Sequence, residues 1–165
     1  MSKIETVVMA LNLPIRKILI VDDNSIILRV LSSALKSKGY EVLTAVDGPE
    51  AFTVVGREKP DLILLDIFFP PDIFQSGNTW DAFIIMHWLQ RMGGDHARSI
   101  PVIVMSGAEP GEIRERCLAA GAVDYLQKPI QVPVLLDAIQ QISRVRVTNV
   151  LLEMAATSNS NRPRL

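Results

Sequence analysis

Acidic side chains follow two aliphatic runs of the chain, at the points where those runs end. Asp22 and Asp23 come directly after Lys17–Val21. Asp66 comes directly after Asp61–Leu65. Three carboxylates brought close together repel one another, so all of them ionise cheaply only when a cation is present. Mg²⁺ suits such a group, because it prefers oxygen ligands and typically uses one or two carboxylates together with phosphate oxygens.

A hydroxyl and an ammonium group follow two further runs. Ser106 ends the run that begins at Pro101, and Lys128 follows the weaker apolar segment Val123–Leu126. A carboxylate can attack phosphorus to give an aspartyl phosphate. A metal ion and an ammonium then neutralise charge on the transferred group. The five polar residues therefore favour a Mg²⁺-assisted phosphoryl acceptor, with Asp66 as the nucleophile because it ends its strand alone.

These residues can meet only if the aliphatic runs are parallel strands of one sheet. Continuous apolar runs are typical of strands buried on both faces, and two weaker strands are predicted at Tyr40–Ala45 and Val123–Leu126. The carboxyl ends of parallel strands meet at one edge, where ligands of open α/β folds bind. The intervening segments predict helices and hence five βα units, with helices on both faces of the sheet. The predicted helices are Ser25–Lys38, Pro49–Arg57, Trp80–Met92, Glu112–Ala120 and Pro133–Arg144.

Both ends of the chain lie outside these units. We predict an amphipathic extension over 1–14, a central domain over 15–145, and a C-terminal extension with a disordered tail over 146–165. Apolar residues recur at i, i+3, i+4 and i+7 in each extension, which indicates a short helix. The two helices would cap the domain's core, form a dimer or partner surface, or pack on each other. The repeated positions are Ile4, Val7, Val8 and Leu11, then Val147, Val150, Leu151 and Met154.

Composition narrows the class of protein. The chain has 165 residues, 48% of them hydrophobic, and a net charge of -1; this fits one domain with a packed core and disfavours non-specific nucleic-acid binding. One cysteine, Cys117, excludes an internal disulfide and a Cys-based zinc site, and two histidines exclude a multi-histidine metal site. We predict Cys117 to be a buried helix residue. With neither a membrane-length apolar run nor a signal peptide, we expect a cytoplasmic protein.

Four motifs together resemble the response-regulator receiver domain of two-component signalling. They are ILIVDDN, LILLDIFFP, VIVMSGA and DYLQKP, and they match in order and spacing over residues 16–145. The resemblance implies a flavodoxin-like, doubly wound α/β fold. Its five-stranded parallel sheet has the order 2-1-3-4-5, which is a known property of this family rather than something the spacing shows.

The resemblance also implies an acceptor and its metal ligands. Asp66 resembles the phosphoacceptor. Asp22 and Asp23 resemble the acidic pair that holds Mg²⁺ together with Asp66, and the main-chain carbonyl of Phe68 is a further ligand. The alternative is a purely structural role, in which the acidic pair only caps the helix that follows it.

Three other residues match the positions that respond to the phosphoryl group. Ser106 and Lys128 resemble the groups that contact it, and Ser106 and Tyr125 resemble the switch pair, whose ring moves inward when the hydroxyl moves towards phosphate. The Lys128–Pro129 bond is often cis in the family. Read without the resemblance, these residues would be a turn serine, a surface lysine and a core aromatic.

The chain departs from the family pattern near the acidic site. The stretch from Phe69 to Trp80 is longer than usual; its Pro71–Thr79 insertion either gates access or contacts a partner. Ala82 stands where a glycine is common, and the third helix ends in a GGDHARS loop. The positions two beyond Asp66 and Ser106 are Phe68 and Ala108, which cannot orient a hydrolytic water. We therefore expect slow self-dephosphorylation.

The function predicted from these features is phosphoacceptor signalling by a stand-alone receiver. A histidine kinase or phosphotransfer protein would donate the phosphoryl group, and a downstream protein would bind the changed face of the fourth helix, fifth strand and fifth helix. That face or the terminal helices would also support a homodimer. We expect no DNA or membrane partner, because 146–165 is short for a DNA-binding domain and lacks a helix-turn-helix pattern. The chain would not be an enzyme beyond its own phosphorylation and slow dephosphorylation.

Two alternatives remain at this point. One is a degenerate receiver that acts as an interaction scaffold. The other is an aspartate-nucleophile phosphatase of the haloacid-dehalogenase type, which needs a second acid two residues beyond the nucleophile, where this chain has Phe68. A P-loop nucleotide hydrolase is disfavoured because no G-x-x-x-x-G-K-[ST] motif occurs.

Overall fold

The protein folds around one parallel sheet. The structure, a computed structural model, describes residues 14–67, 82–91 and 93–160, with side chains only as far as residue 152 in the last stretch. The five strands have the order β2-β1-β3-β4-β5, with helices on both faces of the sheet, so the predicted fold is confirmed. The strands are β1 (Lys17–Val21), β2 (Glu41–Ala45), β3 (Leu62–Asp66), β4 (Val102–Ser106) and β5 (Asp124–Gln127).

Six helices accompany the strands in the described residues. Side chains fix where two of them begin. The Asn24 carboxamide accepts from the amide of Ile26 at the start of the first helix, and Asp47 accepts from the amide of Glu50 in the second. The helices are α1 (Ser25–Lys36), α2 (Gly48–Glu58), α3 (Ala82–Arg91), α4 (Gly94–Ser99), α5 (Glu112–Ala119) and α6 (Val132–Ser160).

The central strands form the core. Every residue of β3 and β4 is buried, as expected for strands covered on both faces. Strand β2, at one edge, buries only Ala45 fully. Cys117 of α5 is fully buried in the same core, as predicted. A rigid, closely packed centre of this kind holds the strand ends in fixed positions.

The segment GGDHARS is a helix and not the predicted loop. Helix α4 covers most of it, and Gly94 begins it with a φ of 75°, a conformation that glycine adopts without strain. Ala97 is buried in the core, and this contact anchors the short helix. The prediction was wrong because two glycines usually end a helix, and six residues are too few to show an apolar period.

The last helix is also longer than predicted. The sequence predicted a helix ending at Arg144, a separate short helix and a disordered tail after Ala156. The structure has one helix, α6, over Val132–Ser160. No glycine or proline occurs from residue 134 to residue 160, so nothing in the sequence interrupts the helix.

Two compact units divide the described chain. One is formed by residues 16–135, and the other by residues 14, 15 and 136–160. In the second unit the Ile15 amide donates to the Ser143 hydroxyl at 3.4 Å. The predicted helix in 1–14 and the end of the tail lie outside the described residues, apart from Pro14. No helix in the described part of the chain has both the length and the hydropathy needed to cross a membrane.

Candidate functional site

The strand register brings the predicted polar residues to one edge of the sheet. Val21 pairs with Leu65, so Asp22 and Asp66 follow at the same level at the ends of neighbouring strands. On the other side of β3, Asp66 pairs with Met105, and Ser106 is the next residue of β4. Sequence reasoning predicted this convergence correctly from the parallel arrangement alone.

Three carboxylates form the centre of the site. Ligand oxygens of Asp22, Asp23 and Asp66 lie within 4.8 Å of one another. Asp22 is fully buried and Asp66 is only 6% exposed, whereas Asp23 is exposed at the mouth. Burial removes the water that would otherwise weaken the repulsion between these charges. The cluster therefore needs a positive charge nearby.

Lys128 supplies a positive charge. Its Nζ lies 2.7 Å from Oδ2 of Asp22 and 2.9 Å from Oδ1 of Asp66, so one ammonium bridges the two buried carboxylates. The main-chain amide of Lys128 donates to the carbonyl of Ser106, which ties the residue to the end of β4. The peptide bond between Lys128 and Pro129 is cis. The sequence predicted Lys128 at the site but not this bridging contact.

Two main-chain amides orient the acidic side chains. The Asn24 amide donates to Oδ1 of Asp22 at 2.9 Å, and the Ile67 amide donates to Oδ1 of Asp66 at 2.8 Å. Asn24 thus caps α1 with its side chain and holds Asp22 with its main chain. Sequence analysis gave Asn24 no role; its preference for helix starts, directly after the acid pair, was the available signal.

The pKa values of the central pair are shifted by burial and by the pairing itself. Burial raises the pKa of Asp66 above its usual 3.8, and the repulsion from Asp22 adds to this, although Lys128 opposes it. Burial lowers the pKa of Lys128, but its hydrogen bonds to Asp22 and Asp66 outweigh this, so its pKa is raised overall. Lys128 is therefore charged at neutral pH. The raised pKa of Asp66 means that ionising this buried carboxyl costs free energy.

Ser106 and Tyr125 meet through one residue. The Ser106 hydroxyl accepts from the Ala108 amide at 3.0 Å, and the Tyr125 hydroxyl donates to the Ala108 carbonyl at 2.8 Å. Ser106 is fully buried and Tyr125 nearly so. The two residues that the resemblance assigns to the switch are thus linked by the Ala108 peptide units. The sequence placed both residues but did not indicate this link.

The remaining predicted ligand is outside the described residues. Phe68, whose main-chain carbonyl was predicted to bind the metal, and the Pro71–Thr79 insertion are not among them. The donor set that is described fits Mg²⁺, because carboxylate oxygens are the ligands that this ion prefers. Asp23 is exposed, so the ion could retain several waters there, as Mg²⁺ usually does.

Comparison with known proteins identifies the family. The response regulator receiver domain family matches residues 18–140, which is most of the chain. This chain therefore belongs to the response regulator receiver domain family, and it carries a receiver domain of two-component signalling.

Curated relatives extend beyond the shared domain. Response regulator PleD of Caulobacter vibrioides is 33% identical over 131 residues, covering 79% of this chain and 27% of PleD. The transcriptional regulatory protein PrrA of Mycobacterium tuberculosis is 35% identical over 130 residues, covering 79% of this chain and 51% of PrrA. The chain thus spans about a quarter of the length of PleD and about half of the length of PrrA.

Solved structures share the fold over nearly their whole length. The chemotaxis response regulator CheY4 of Vibrio cholerae has a TM-score of 0.66 and 26% identity, covering 78% of this chain and 98% of CheY4. The receiver domain of sensor histidine kinase PA1611 from Pseudomonas aeruginosa has a TM-score of 0.65 and 29% identity, covering 78% of this chain and 97% of that one. The PA1611 structure is described with a magnesium ion coordinated in its active-site cleft.

Proposed function

We propose that Asp66 accepts a phosphoryl group from the phosphohistidine of a histidine kinase or phosphotransfer protein. The observation that supports this is the convergence of three carboxylates and one lysine at the edge of the sheet. Asp22, Asp23, Asp66 and the main-chain carbonyl of Phe68 would hold Mg²⁺. When bound, this ion would offset the repulsion among the carboxylates and draw charge from the phosphoryl oxygens.

The chemical step needs one oxygen of Asp66 as the nucleophile. Oδ1 is engaged by the Ile67 amide and Lys128, so Oδ2 is assigned to the attack on phosphorus. The new oxygen–phosphorus bond forms as the phosphorus–nitrogen bond of the donor breaks. The electron pair of the broken bond stays on the imidazole nitrogen, which takes up a proton. Lys128 would then donate to a phosphoryl oxygen, replacing part of its present contact with Asp66.

The response of the domain would pass through Ser106. A hydroxyl that accepts from the Ala108 amide can still donate its hydrogen to a phosphoryl oxygen. Movement of Ser106 towards that oxygen would shift Ala108, and Tyr125 would follow because its hydroxyl is bonded to the Ala108 carbonyl. Tyr125 also lines a cavity of about 300 Å³ with Arg114 and Val134. A downstream protein would bind at this surface.

The partner and domain assignments belong to the same proposal. The receiver domain would span 15–145, flanked by the extensions 1–14 and 146–165. A protein target and the absence of DNA binding stay predictions, since the relatives include a transcriptional regulatory protein. The chain would catalyse only its own phosphorylation and slow dephosphorylation.

Acetyl phosphate with Mg²⁺ tests the acceptor directly. Intact-mass spectrometry should show one added phosphoryl group on the native chain and none on Asp66→Asn. Asp95→Asn is the matched control, because Asp95 is fully exposed and pairs only weakly with Arg98 at 3.7 Å; it should be phosphorylated normally. Sustained release of inorganic phosphate would indicate a phosphatase instead. No incorporation in a folded native chain would indicate a scaffold.

The lifetime of the phosphorylated form gives a second test. Phe68 and Ala108 carry no group that could orient an attacking water, so hydrolysis should be slow. The measurement follows the phosphorylated mass after acetyl phosphate is removed in a Mg²⁺ buffer. A half-life of seconds would contradict this expectation.

A further inference from the structure

Helices α3 and α5 differ in how firmly the core holds them. In α5 only Cys117 is buried, and Gly111, the residue before the helix, offers no side-chain cap. Four of the eight residues of α5 are charged. Helix α3 is anchored by four buried side chains, those of Ala82, Ile85, Met86 and Leu89. Because the packing of an apolar face supplies most of the stability of a helix in a protein, α5 is the more weakly held of the two.

One side chain of α3 reaches the carboxyl end of α5. Gln90 Nε2 donates to the main-chain carbonyl of Ala120 at 2.9 Å. Gly121 makes room for this contact, since a Cβ at this position would collide with Gln90 Nε2. The φ of Gly121 is 101°, a conformation that glycine adopts without strain, and its amide donates to the carbonyl of Leu118. The Gln90 carboxamide therefore lies directly over the turn that ends α5.

A second contact joins the two helices at Phe83, about two turns before Gln90. The Arg116 guanidinium of α5 lies over the Phe83 ring, 5.0 Å from its centroid. A cation above an aromatic face is attracted by the quadrupole of the ring. Phe83 is partly buried and packs against the core, so its ring gives Arg116 a fixed partner. Together with the Gln90 bond, this contact holds α5 at two points about one turn apart.

We propose that Gln90 and Phe83 form a clamp that holds α5 against α3 and sets how readily α5 moves. Both contacts are made at the surface, because Gln90 and Arg116 are exposed. They can therefore open without disturbing the core beneath them. The clamp is a property of the fold itself and does not depend on the phosphoryl chemistry.

The position of α5 bears on the site at the edge of the sheet. Helix α5 begins four residues after Ala108, whose peptide units link Ser106 and Tyr125. Arg114 of α5 lines the same cavity as Tyr125. Under the proposed function, on which this step alone rests, movement of Ala108 would carry α5 with it. The clamp would then oppose phosphorylation, because each contact that must open makes the switched conformation less populated.

Hydrogen exchange in the full chain, without a phosphoryl donor, tests the clamp. Gln90→Ala removes the donor, so the amides of α5 should exchange about threefold to fivefold faster, the factor expected for one modest hydrogen bond. His87→Ala is the matched control, because it also replaces an exposed side chain of α3 with alanine; it should leave α5 exchange unchanged. Equal exchange in the two variants would overturn the proposal. An increase of the same size in β3 and β4 would overturn it too, since it would reflect global unfolding.

Two further variants test the chemistry of each contact. Gln90→Glu keeps the length of the side chain but exchanges its amide donor for a carboxylate that only accepts, so α5 should exchange at least as fast as in Gln90→Ala. Phe83→Leu keeps an apolar side chain but removes the ring, and should speed α5 exchange about twofold. Native-like exchange in either variant would overturn the role assigned to that residue.

The rate of phosphorylation tests the consequence for the switch. With acetyl phosphate and Mg²⁺, Gln90→Ala should gain its phosphoryl group faster than the native chain and His87→Ala, by a factor no larger than that seen in exchange. Equal rates, in a variant whose α5 exchanges faster, would overturn the link between the clamp and Asp66. No incorporation in any of the three chains would refute the proposed function instead, and the exchange measurements would still decide the clamp.

Discussion

Two buried aspartates at opposite ends of one strand differ in what holds them. Asp61 directly precedes β3, and its Oδ2 accepts from the main-chain amides of Arg16 and Lys17 at 3.0 and 2.9 Å. Asp66 ends β3, and its Oδ1 accepts from one main-chain amide and from Lys128. Their exposed fractions are 8% and 6%, so burial alone does not distinguish them.

We infer from this difference that Asp61 is a structural carboxylate and that Asp66 is the one suited to the proposed phosphoryl transfer. The two amides that Asp61 accepts from belong to the backbone at the start of β1, so these two contacts are as rigid as the sheet. Asp66 depends on a flexible lysine that it shares with Asp22, and burial raises its pKa. A carboxylate held by a side chain can exchange that partner for a metal ion or a phosphoryl group, whereas Asp61 would have to give up its bonds with two main-chain amides.

Removing the shared lysine should produce the largest effect on stability. Lys128→Met leaves Asp22 and Asp66 buried without their ammonium, and breaking a buried ion pair from one side costs about 3 kcal/mol. Urea unfolding at neutral pH in EDTA measures the loss. Lys38→Met, at an exposed position, should change stability by less than about 0.5 kcal/mol. Equal stability of the two variants would show that Lys128 does not compensate the buried acids.

Removing Asp61 should reduce stability somewhat less than removing Lys128. Asp61→Ala leaves the amides of Arg16 and Lys17 without this acceptor, at about 2 kcal/mol. Folded Asp61→Ala should still be phosphorylated by acetyl phosphate, which intact mass measures. Loss of phosphorylation in a fully folded variant would mean that the two ends of β3 are not independent.

Neutralising Asp66 should increase stability, in contrast to the two substitutions above. Since burial raises the pKa of Asp66, its ionised form destabilises the metal-free fold. Asp66→Asn should therefore raise the free energy of unfolding at pH 7 in EDTA, by less than Asp61→Ala lowers it. A loss of stability in Asp66→Asn would show that its bond with Lys128 outweighs burial.

The smallest effect concerns pH. A carboxyl whose folded pKa lies above its unfolded value binds its proton more tightly in the fold, so stability is lost as pH rises past 3.8 through the raised value. The stability advantage of Asp66→Asn over the native chain in EDTA should therefore grow over that interval and then level off. Parallel curves for the two proteins, from urea unfolding at a series of pH values, would contradict the raised pKa.

Sequence patterns predicted the contacts that follow from the parallel direction of the strands. They missed the contacts that depend on the register between strands or on the conformation of a long side chain. The meeting of Asp22, Asp66 and Ser106 follows from parallel strands alone. The role of Asp61 does not, because its amide donors are more than forty residues earlier and align only through the register of β1 with β3. The bridging position of Lys128 likewise depends on its side-chain conformation.

The helices likewise include features that the sequence pattern indicated and features that it missed. The repeated spacing at 147, 150, 151 and 154 correctly indicated a helix, but the pattern could not show that it continues from the preceding one. Helix α4 was missed because its stability comes from the burial of Ala97 and not from any local signal.

The link between Ser106 and Tyr125 has a consequence for how the chain can vary. Both hydrogen bonds at Ala108 use main-chain atoms, so nearly any amino acid at this position preserves them. Under the proposed function, a different side chain at this position would change the rate of hydrolysis while keeping both hydrogen bonds that link Ser106 and Tyr125. Proline is the exception, because it has no amide hydrogen to donate to the Ser106 hydroxyl.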